Sequence, residues 1–342
     1  MIIDAYTHIL PKKYQEQLEK KVTGRDPSLS TVRYSKTVVT LLDLDARFRV
    51  MDDFGDYIQV ISVASPAIYQ IAPPDVAKDL CKIANDEIAE LLYKYPERFA
   101  AGIACLPMND PDAAVAEAER AVKDLRLRAV EITTDICGKP LDAPEFFPLY
   151  QKTVELNCPI FIHPLRERTT PDYSTETESK YRLWTKMGWP FATTLAMARL
   201  VYGGVMERLP ELKVVTHHCG GTVPFLAGRI DWSDDFNEMR MGFRDYYLKD
   251  NALTYFRRFF YDTAVNGHVA ALQCGRAFAG LDQMVFATDF PFDNQVGRRL
   301  IRDTIDSIER MGLTAEEKQK IYRDNAVKLL RLPLGRISCK EM

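Results

Sequence analysis

The sequence predicts an α/β protein whose eight strand–helix units close into a (β/α)8 TIM barrel. Eight short runs rich in Val, Ile, Phe and Ala alternate with longer segments of helical periodicity. The runs are almost continuously apolar, which indicates strands buried on both faces, as in a parallel sheet covered by helices. Eight such units in 342 residues fit a closed barrel better than an open doubly wound sheet. The runs lie at 1–8, 57–64, 99–107, 127–135, 159–165, 213–220, 259–265 and 284–290.

Two connections are longer than a plain barrel needs, at 9–56 after the first strand and at 166–195 after the fifth. Both leave from the end of the barrel where active sites lie, so we interpret them as cap or lid insertions. The second insertion is polar with embedded aromatic residues, and Trp184 and Trp189 are candidates to close a small pocket over a substrate. An ordinary surface excursion or a subunit contact is the competing interpretation. We expect one domain over residues 1–342.

The composition excludes several classes of function. Lys and Arg number 45 against 48 Asp and Glu, the net charge is −3 and no basic run is present, so we expect no nucleic-acid partner and no membrane partner. No apolar stretch reaches transmembrane length. The first residues already form a predicted core strand, which leaves no room for a secretory signal and favours the cytoplasm. Seven scattered cysteines without a CxxC pair fit reduced thiols.

Histidines are concentrated at the ends of predicted strands. Four of the five, His8, His163, His217 and His218, end strands one, five and six, and Asp289 ends strand eight. The carboxyl ends of barrel strands converge on one site, so we expect these side chains to meet. Imidazole nitrogens and a carboxylate can hold a divalent metal ion while leaving a position open for water or substrate. The set therefore predicts a metal or catalytic site.

Six sequence motifs occur in order along nearly the whole chain. They are DAYTHILP at 4–11, RFRVMDDFGDYIQVIS at 47–62, FIHP at 161–164, GGVMERLPELKVVTHHCGGTVPFLAGRID at 203–231, FATDFPF at 286–292 and YRDNAVKLL at 322–330. In this order the motifs resemble the amidohydrolase superfamily, in the branch around aminocarboxymuconate-semialdehyde decarboxylase.

The resemblance implies a role for each strand-end residue. His8, His163 and Asp289 would be metal ligands from strands one, five and eight. His218, directly before the Cys-Gly-Gly sequence, would be the catalytic histidine. His217 would be structural and point away, since adjacent strand residues face opposite sides of a sheet, although the geometry at the end of the strand could bring it into the site.

Position 6 departs from the family pattern, which has a histidine or a glutamate there. Tyr6 could bind a hard metal as phenolate, hydrogen-bond a metal-bound water, or fill space and leave His8, His163 and Asp289 to hold the ion. Three protein ligands are enough for a catalytic metal. We expect a divalent ion to be retained, zinc or manganese, with iron as the alternative.

The site suggests one mechanism with two outcomes. The metal would polarise a substrate oxygen or acidify a water, His218 would act as general acid or base, and Asp289 would ligate the ion and shuttle a proton. On a small aromatic or unsaturated carboxylic acid the outcome is decarboxylation; on a lactone or related ester it is hydrolysis. A dinuclear-metal oxygenase subunit, with Tyr6, His217 and Asp293 in an altered ligand set, and a degenerate subunit without metal are further alternatives.

A carboxylate substrate needs a cation. Arg166 and Arg168 follow His163, and Arg229 is a third candidate, although it can equally be a structural partner of Asp231 or of a neighbouring subunit. We predict Arg166, Arg229 and Trp184 as substrate-binding residues.

Other polar residues are given structural roles. Arg47 and Arg49 are expected at the surface or an interface, Asp262 in a hydrogen-bonding framework and His268 in a loop. The resemblance implies a homodimer, and assembly with a sister chain is the alternative.

Overall fold

The computed structural model has eight parallel strands in the sheet order β1 to β8. The N–H of Ala5 donates to the carbonyl of Phe286 (2.8 Å) and the N–H of His8 to that of Phe290 (2.8 Å), which joins β1 to the chain after β8. The predicted (β/α)8 barrel is confirmed. The structure describes residues 1–22, 37–64, 66–243, 246 and 248–333. The strands are β1 Ile2–Ile9, β2 Tyr57–Val63, β3 Phe99–Cys105, β4 Ala129–Thr133, β5 Ile160–His163, β6 Val214–Thr216, β7 Phe260–Asp262 and β8 Met284–Val285.

Helices cover the outside of the barrel. The α-helices before β6 are α1 Lys12–Lys21, α2 Val39–Leu42, α3 Leu44–Asp52, α4 Ile68–Ile71, α5 Pro74–Lys94, α6 Pro111–Lys123, α7 Phe147–Glu155, α8 Trp189–Tyr202 and α9 Val205–Arg208. Those after β6 are α10 Val223–Met241, α11 Ala252–Phe256, α12 Val269–Ala279, α13 Arg298–Glu309, α14 Ala315–Gln319 and α15 Asn325–Leu330. Short 3-10 helices lie at Pro144–Phe146 and Leu281–Gln283, and π-helical turns at Trp184–Gly188 and Lys320–Asp324.

Side chains from several strands fill the barrel interior. Ala5, Val60, Ile103, Phe161 and Val215 belong to one buried apolar cluster and are each at most 2% exposed. Branched and aromatic side chains packed in this way make the barrel centre a solid core, so a functional site can form only at its ends. No helix among the described residues is long and apolar enough to cross a membrane.

The predicted insertions are described in part. Residues 23–36 of the first insertion lie outside the described residues, as does Cys339. The segment after β5 contributes Arg166, Trp184 and Trp189 to the wall of the main cavity. Its function as a lid stays a prediction.

Arg47 is a buried cation, and the expectation that it lies at the surface is wrong. Its side chain is 0% exposed and projects from α3 toward the strands. The guanidinium donates to the carbonyl of His8 (2.6 Å), to Oγ1 of Thr7 (2.8 Å) and to Oε1 of Gln59 (2.7 Å). Its carbon lies 4.7 Å from the ring centroid of Phe290, which adds a cation–π contact. Arg47 thus ties the carboxyl end of β1 to β2 and to the segment after β8.

Replacing Arg47 with Lys is expected to destabilise the fold by about 1.5–3 kcal/mol, because one ammonium group cannot reach acceptors that a guanidinium fork spans. Urea denaturation measures the change through the midpoint. Arg49→Lys, the same substitution at an exposed position of α3, is the control and should stay within about 0.5 kcal/mol of wild type. Equal stability of the two variants would contradict the role given to Arg47.

Candidate active site

Three ionisable side chains form a compact group at the carboxyl end of the barrel. His8, His217 and Asp289 each offer one ligand atom within 4.8 Å of the other two. Nε2 of His8 lies 3.0 Å from Oδ1 of Asp289, and its Nδ1 lies 3.3 Å from Oγ of Ser62. His8 and His217 are buried, and Asp289 is largely so. Two imidazoles and a carboxylate at this separation are a donor set suited to a divalent ion.

His217 belongs to this group, so the expectation that it points away from the site is wrong. The physical reason is that β6 ends at Thr216, one residue before the pair of histidines, and strand alternation no longer applies. His218 and Cys219 then adopt left-handed backbone conformations, with φ of 56° and 55°. This tight turn lets two consecutive histidines face the same end of the barrel.

Asp262 at the end of β7 orients His217. Its Oδ2 accepts a hydrogen bond from Nδ1 of His217, while its Oδ1 accepts from the N–H groups of Cys219 (2.8 Å) and Ala264 (3.2 Å). Burial alone would lower the pKa of His217, but the adjacent Asp262 carboxylate raises it above its ordinary value. This contact matches the expected framework role of Asp262.

His163 and His218 lie beside the compact group. Nδ1 of His163 donates to the carbonyl of Pro164 (2.8 Å), which places Nε2 on the opposite side of the ring. The His163 ring centroid lies 5.4 Å from that of His8 and 5.5 Å from that of His217. His218 lines the cavity, and its Nδ1 is buried without a hydrogen-bond partner among the described residues. Burial lowers the pKa of both His163 and His218, which favours their neutral forms.

Tyr6 directs its hydroxyl to a carboxylate. The hydroxyl donates to Oε2 of Glu131 at 2.6 Å, and the ring is fully buried. Burial and the nearby Glu131 raise the pKa of Tyr6 well above its ordinary value, and burial raises that of Glu131 as well. A neutral phenol bonded in this way is a donor, so the geometry argues against Tyr6 as a phenolate ligand.

Glu131 is the site residue that sequence reasoning missed. It lies on β4 in a run whose neighbours Val130 and Ile132 are apolar and fully packed. A single carboxylate inside an otherwise apolar strand is the signal that could have identified it, since such a group is retained only when it has a partner.

One member of the compact group, Asp289, lines a cavity of about 1260 Å³, together with His163 and His218. Arg166 and Trp184, both predicted to bind substrate, also line it. The Arg166 guanidinium donates to Oδ1 of Asp172 (3.2 Å), so part of its charge is compensated.

Trp189 connects the cavity wall to the histidines. Its ring centroid is 5.7 Å from that of Trp184 and 5.6 Å from that of His163, and its indole N–H donates to the carbonyl of Arg166 (3.3 Å). The third predicted substrate-binding residue, Arg229, is exposed on α10 and does not belong to the cavity wall that the described residues form.

The arrangement fits a metal ion on two grounds. Nε2 of His217 is buried and has no hydrogen-bond partner in the described part of the chain, and His217 belongs to the compact group. Burial alone would raise the pKa of Asp289, but the hydrogen bond and charge of His8 and the nearby His217 and His218 hold it below its ordinary value. An ionised carboxylate and a bare imidazole nitrogen are the forms that bind metal.

Replacing Tyr6 with Phe removes the donor to Glu131 and is expected to destabilise the protein by about 1–3 kcal/mol, because a buried carboxylate loses its partner. The manganese content measured by plasma mass spectrometry should equal that of wild type. Glu131→Gln and the double variant complete a cycle in which the two stability losses should not add. Loss of manganese from Tyr6→Phe would show instead that the hydroxyl is a ligand.

Comparison with known proteins places this site in a family. The chain matches the model of the Amidohydrolase family Amidohydro_2 over residues 3–332. It is 30% identical to 2-amino-3-carboxymuconate-6-semialdehyde decarboxylase of Dictyostelium discoideum, over 96% of this chain and 91% of the relative. It is 29% identical to gamma-resorcylate decarboxylase of Polaromonas sp., over 85% and 89% of the two chains. A solved dihydroxybenzoic acid decarboxylase from Polaromonas sp., with bound manganese and the inhibitor 2-nitroresorcinol, superposes with a TM-score of 0.76 at 25% identity, covering 96% of each chain. The chain belongs to the Amidohydrolase family.

Proposed function

We propose that the protein is a metal-dependent decarboxylase of a small aromatic carboxylic acid. The observation that carries the proposal is that Asp289, a member of the compact group with His8 and His217, also lines a cavity with His218 and Trp184. The similarity to decarboxylases over nearly the whole chain supports the reaction type. The manganese in a solved relative supports the cofactor, a divalent metal ion.

The ion would be held at the carboxyl end of the barrel by His8 and Asp289, with His163 as a further ligand. Once bound, it would supply a Lewis acid that polarises oxygen donors of the substrate. Asp289 contributes the negative charge of the donor set, which its depressed pKa keeps available.

The residues that face the cavity would carry the proton transfers. In decarboxylation the bond between the ring carbon and the carboxylate breaks, carbon dioxide leaves and a proton adds to the same carbon. We assign His218 as general acid or base, since it lines the cavity and burial favours its neutral form. Asp289, which lines the same cavity, would shuttle the proton in addition to ligating the ion.

The cavity wall would hold the substrate. Arg166 can grip a carboxylate through the part of its guanidinium that Asp172 does not engage, and Trp184 offers an aromatic face to a ring. Arg229 can reach a substrate only if another subunit brings its cavity to α10. We therefore propose Arg229 as a residue of a subunit contact.

Assembly and location follow as further parts of the proposal. Helix α10 exposes the side chains of Phe225, Trp232 and Met239, an apolar surface of the kind that subunits cover, and we propose a homodimer through it. The six cysteines among the described residues are free thiols, which supports a reducing compartment such as the cytoplasm.

The reaction is tested with γ-resorcylate labelled with carbon-13 in its carboxyl group and protein loaded with manganese. We expect labelled carbon dioxide and resorcinol in equal amounts, and we expect a chelator to abolish turnover until manganese is restored. A panel of other hydroxybenzoates extends the search, since the substituents on the ring are not fixed by these residues. Release of carbon dioxide from none of the acids, together with hydrolysis of a lactone, would overturn the decarboxylase assignment.

Replacing His218 with Asn is expected to lower kcat by about 10²–10⁴-fold, the usual contribution of a positioned acid or base, with metal content unchanged. His268→Asn is the matched control. His268 is exposed and caps α12 through Nδ1, a role that Asn can also fill, so its kcat should equal that of wild type. Wild-type turnover in His218→Asn would remove His218 from the mechanism.

A further inference from the structure

We propose that His217 is itself a metal ligand through Nε2, and that Asp262 is the positioning residue that makes it one. The inference rests on the proposed function, because it concerns the ion of the same site. It adds His217 to the proposed ligands His8, His163 and Asp289.

The first argument is that only one nitrogen of His217 is available. In the neutral imidazole, Nδ1 donates to Asp262 and Nε2 carries the lone pair, so Nε2 is the atom that can bind a metal ion. That atom is buried and has no hydrogen-bond partner among the described residues, whereas buried polar atoms are normally paired. Because His217 lies within ligand distance of His8 and Asp289, an ion in that group would satisfy it.

The second argument is that the Asp262 carboxylate has little freedom to turn. One oxygen receives Nδ1–H of His217, and the other receives the backbone N–H groups of Cys219 and Ala264. A carboxylate that holds the far nitrogen of a metal-binding histidine fixes its tautomer and raises its basicity. The chain thus contains the outer partner that histidine ligands usually have.

The third argument concerns the backbone route. The left-handed turn after β6 is packed so closely that a Cβ on Gly220 would lie 2.3 Å from the ring of Tyr261. The glycine, which has φ of 72°, is therefore required there both for space and for conformation. A turn this constrained holds His217 in one position relative to the barrel end.

The fourth argument is the place of Tyr6. Its ring packs edge-on against the ring of His217, with centroids 3.9 Å apart, while its hydroxyl is directed to Glu131. Tyr6 lies two residues before His8 on β1, on the same face of the strand. Position 6 therefore supplies a wall for the His217 ring, and the ligand atom comes from His217.

The test is metal affinity, measured by competition with a chelator for zinc and for manganese. Asp262→Asn should weaken metal binding by about 10–100-fold, since loss of the partner of a metal-binding histidine usually lowers metal affinity by that factor. His217→Gln should weaken it by at least as much, because the ligand itself is lost. His268→Gln is the control and should bind as wild type does. Unchanged Kd and unchanged metal content in His217→Gln would overturn the proposal.

A rescue experiment separates a ligand from a packing residue. Adding Tyr6→His to His217→Gln places an imidazole beside the lost one and two residues before His8, so it should recover most of the metal affinity. If His217→Gln does not fold, Asp262→Asn alone decides, because it keeps the size of the side chain. Wild-type Kd in folded Asp262→Asn would then overturn the proposal.

The outcomes distinguish the two claims. If wild type releases carbon dioxide but the metal Kd is the same in His217→Gln, the ligand role of His217 is refuted and the decarboxylase assignment stands. If the metal Kd weakens in His217→Gln but wild type decarboxylates none of the acids, the decarboxylase assignment is refuted and the ligand role of His217 stands.

Discussion

The hydrogen bond from Nδ1 of His217 to Asp262 determines which nitrogen the barrel end presents to a metal ion. Asp262 ends β7 and His217 follows β6, so the bond also joins two adjacent strands where their carboxyl ends meet the cavity. Because Nδ1 is hydrogen-bonded to Asp262, Nε2 is the nitrogen that can bind a metal ion together with His8 and Asp289. Tyr6 packs against the same ring, and its hydroxyl donates to Glu131.

A second constraint is the number of ionisable groups buried at one end of the barrel. Burying a polar or charged group is unfavourable unless a partner compensates it, and most of these groups have one close by. Glu131 accepts from Tyr6, Asp262 holds His217, and Asp289 lies against His8. Such a preorganised polar cluster suits catalysis, since its groups need little rearrangement when charge develops on a substrate.

Much of the fold could be predicted because it depends on periodicity. Each of the eight apolar runs coincides with an observed strand, although β1 extends one residue past its run, and the convergence of strand ends brings His8, His217, His218 and Asp289 to one end of the barrel. Strand alternation does not describe His217, because β6 ends before it and a left-handed turn, which apolar patterning does not encode, begins at the next residue, His218. The burial of Arg47 was missed because helical spacing does not reveal carbonyl acceptors contributed by other strands. The contacts that could not be predicted are therefore polar contacts between residues far apart in the sequence.

The most direct measurement is an anomalous difference map from crystals of the manganese-loaded protein, recorded on both sides of the manganese absorption edge. The proposed ligand set predicts a single peak bonded to His8, His163, Asp289 and Nε2 of His217, with Tyr6 still hydrogen-bonded to Glu131. A peak bonded to the oxygen of Tyr6 while His217 stays unbonded, or two peaks bridged by Glu131, would contradict it.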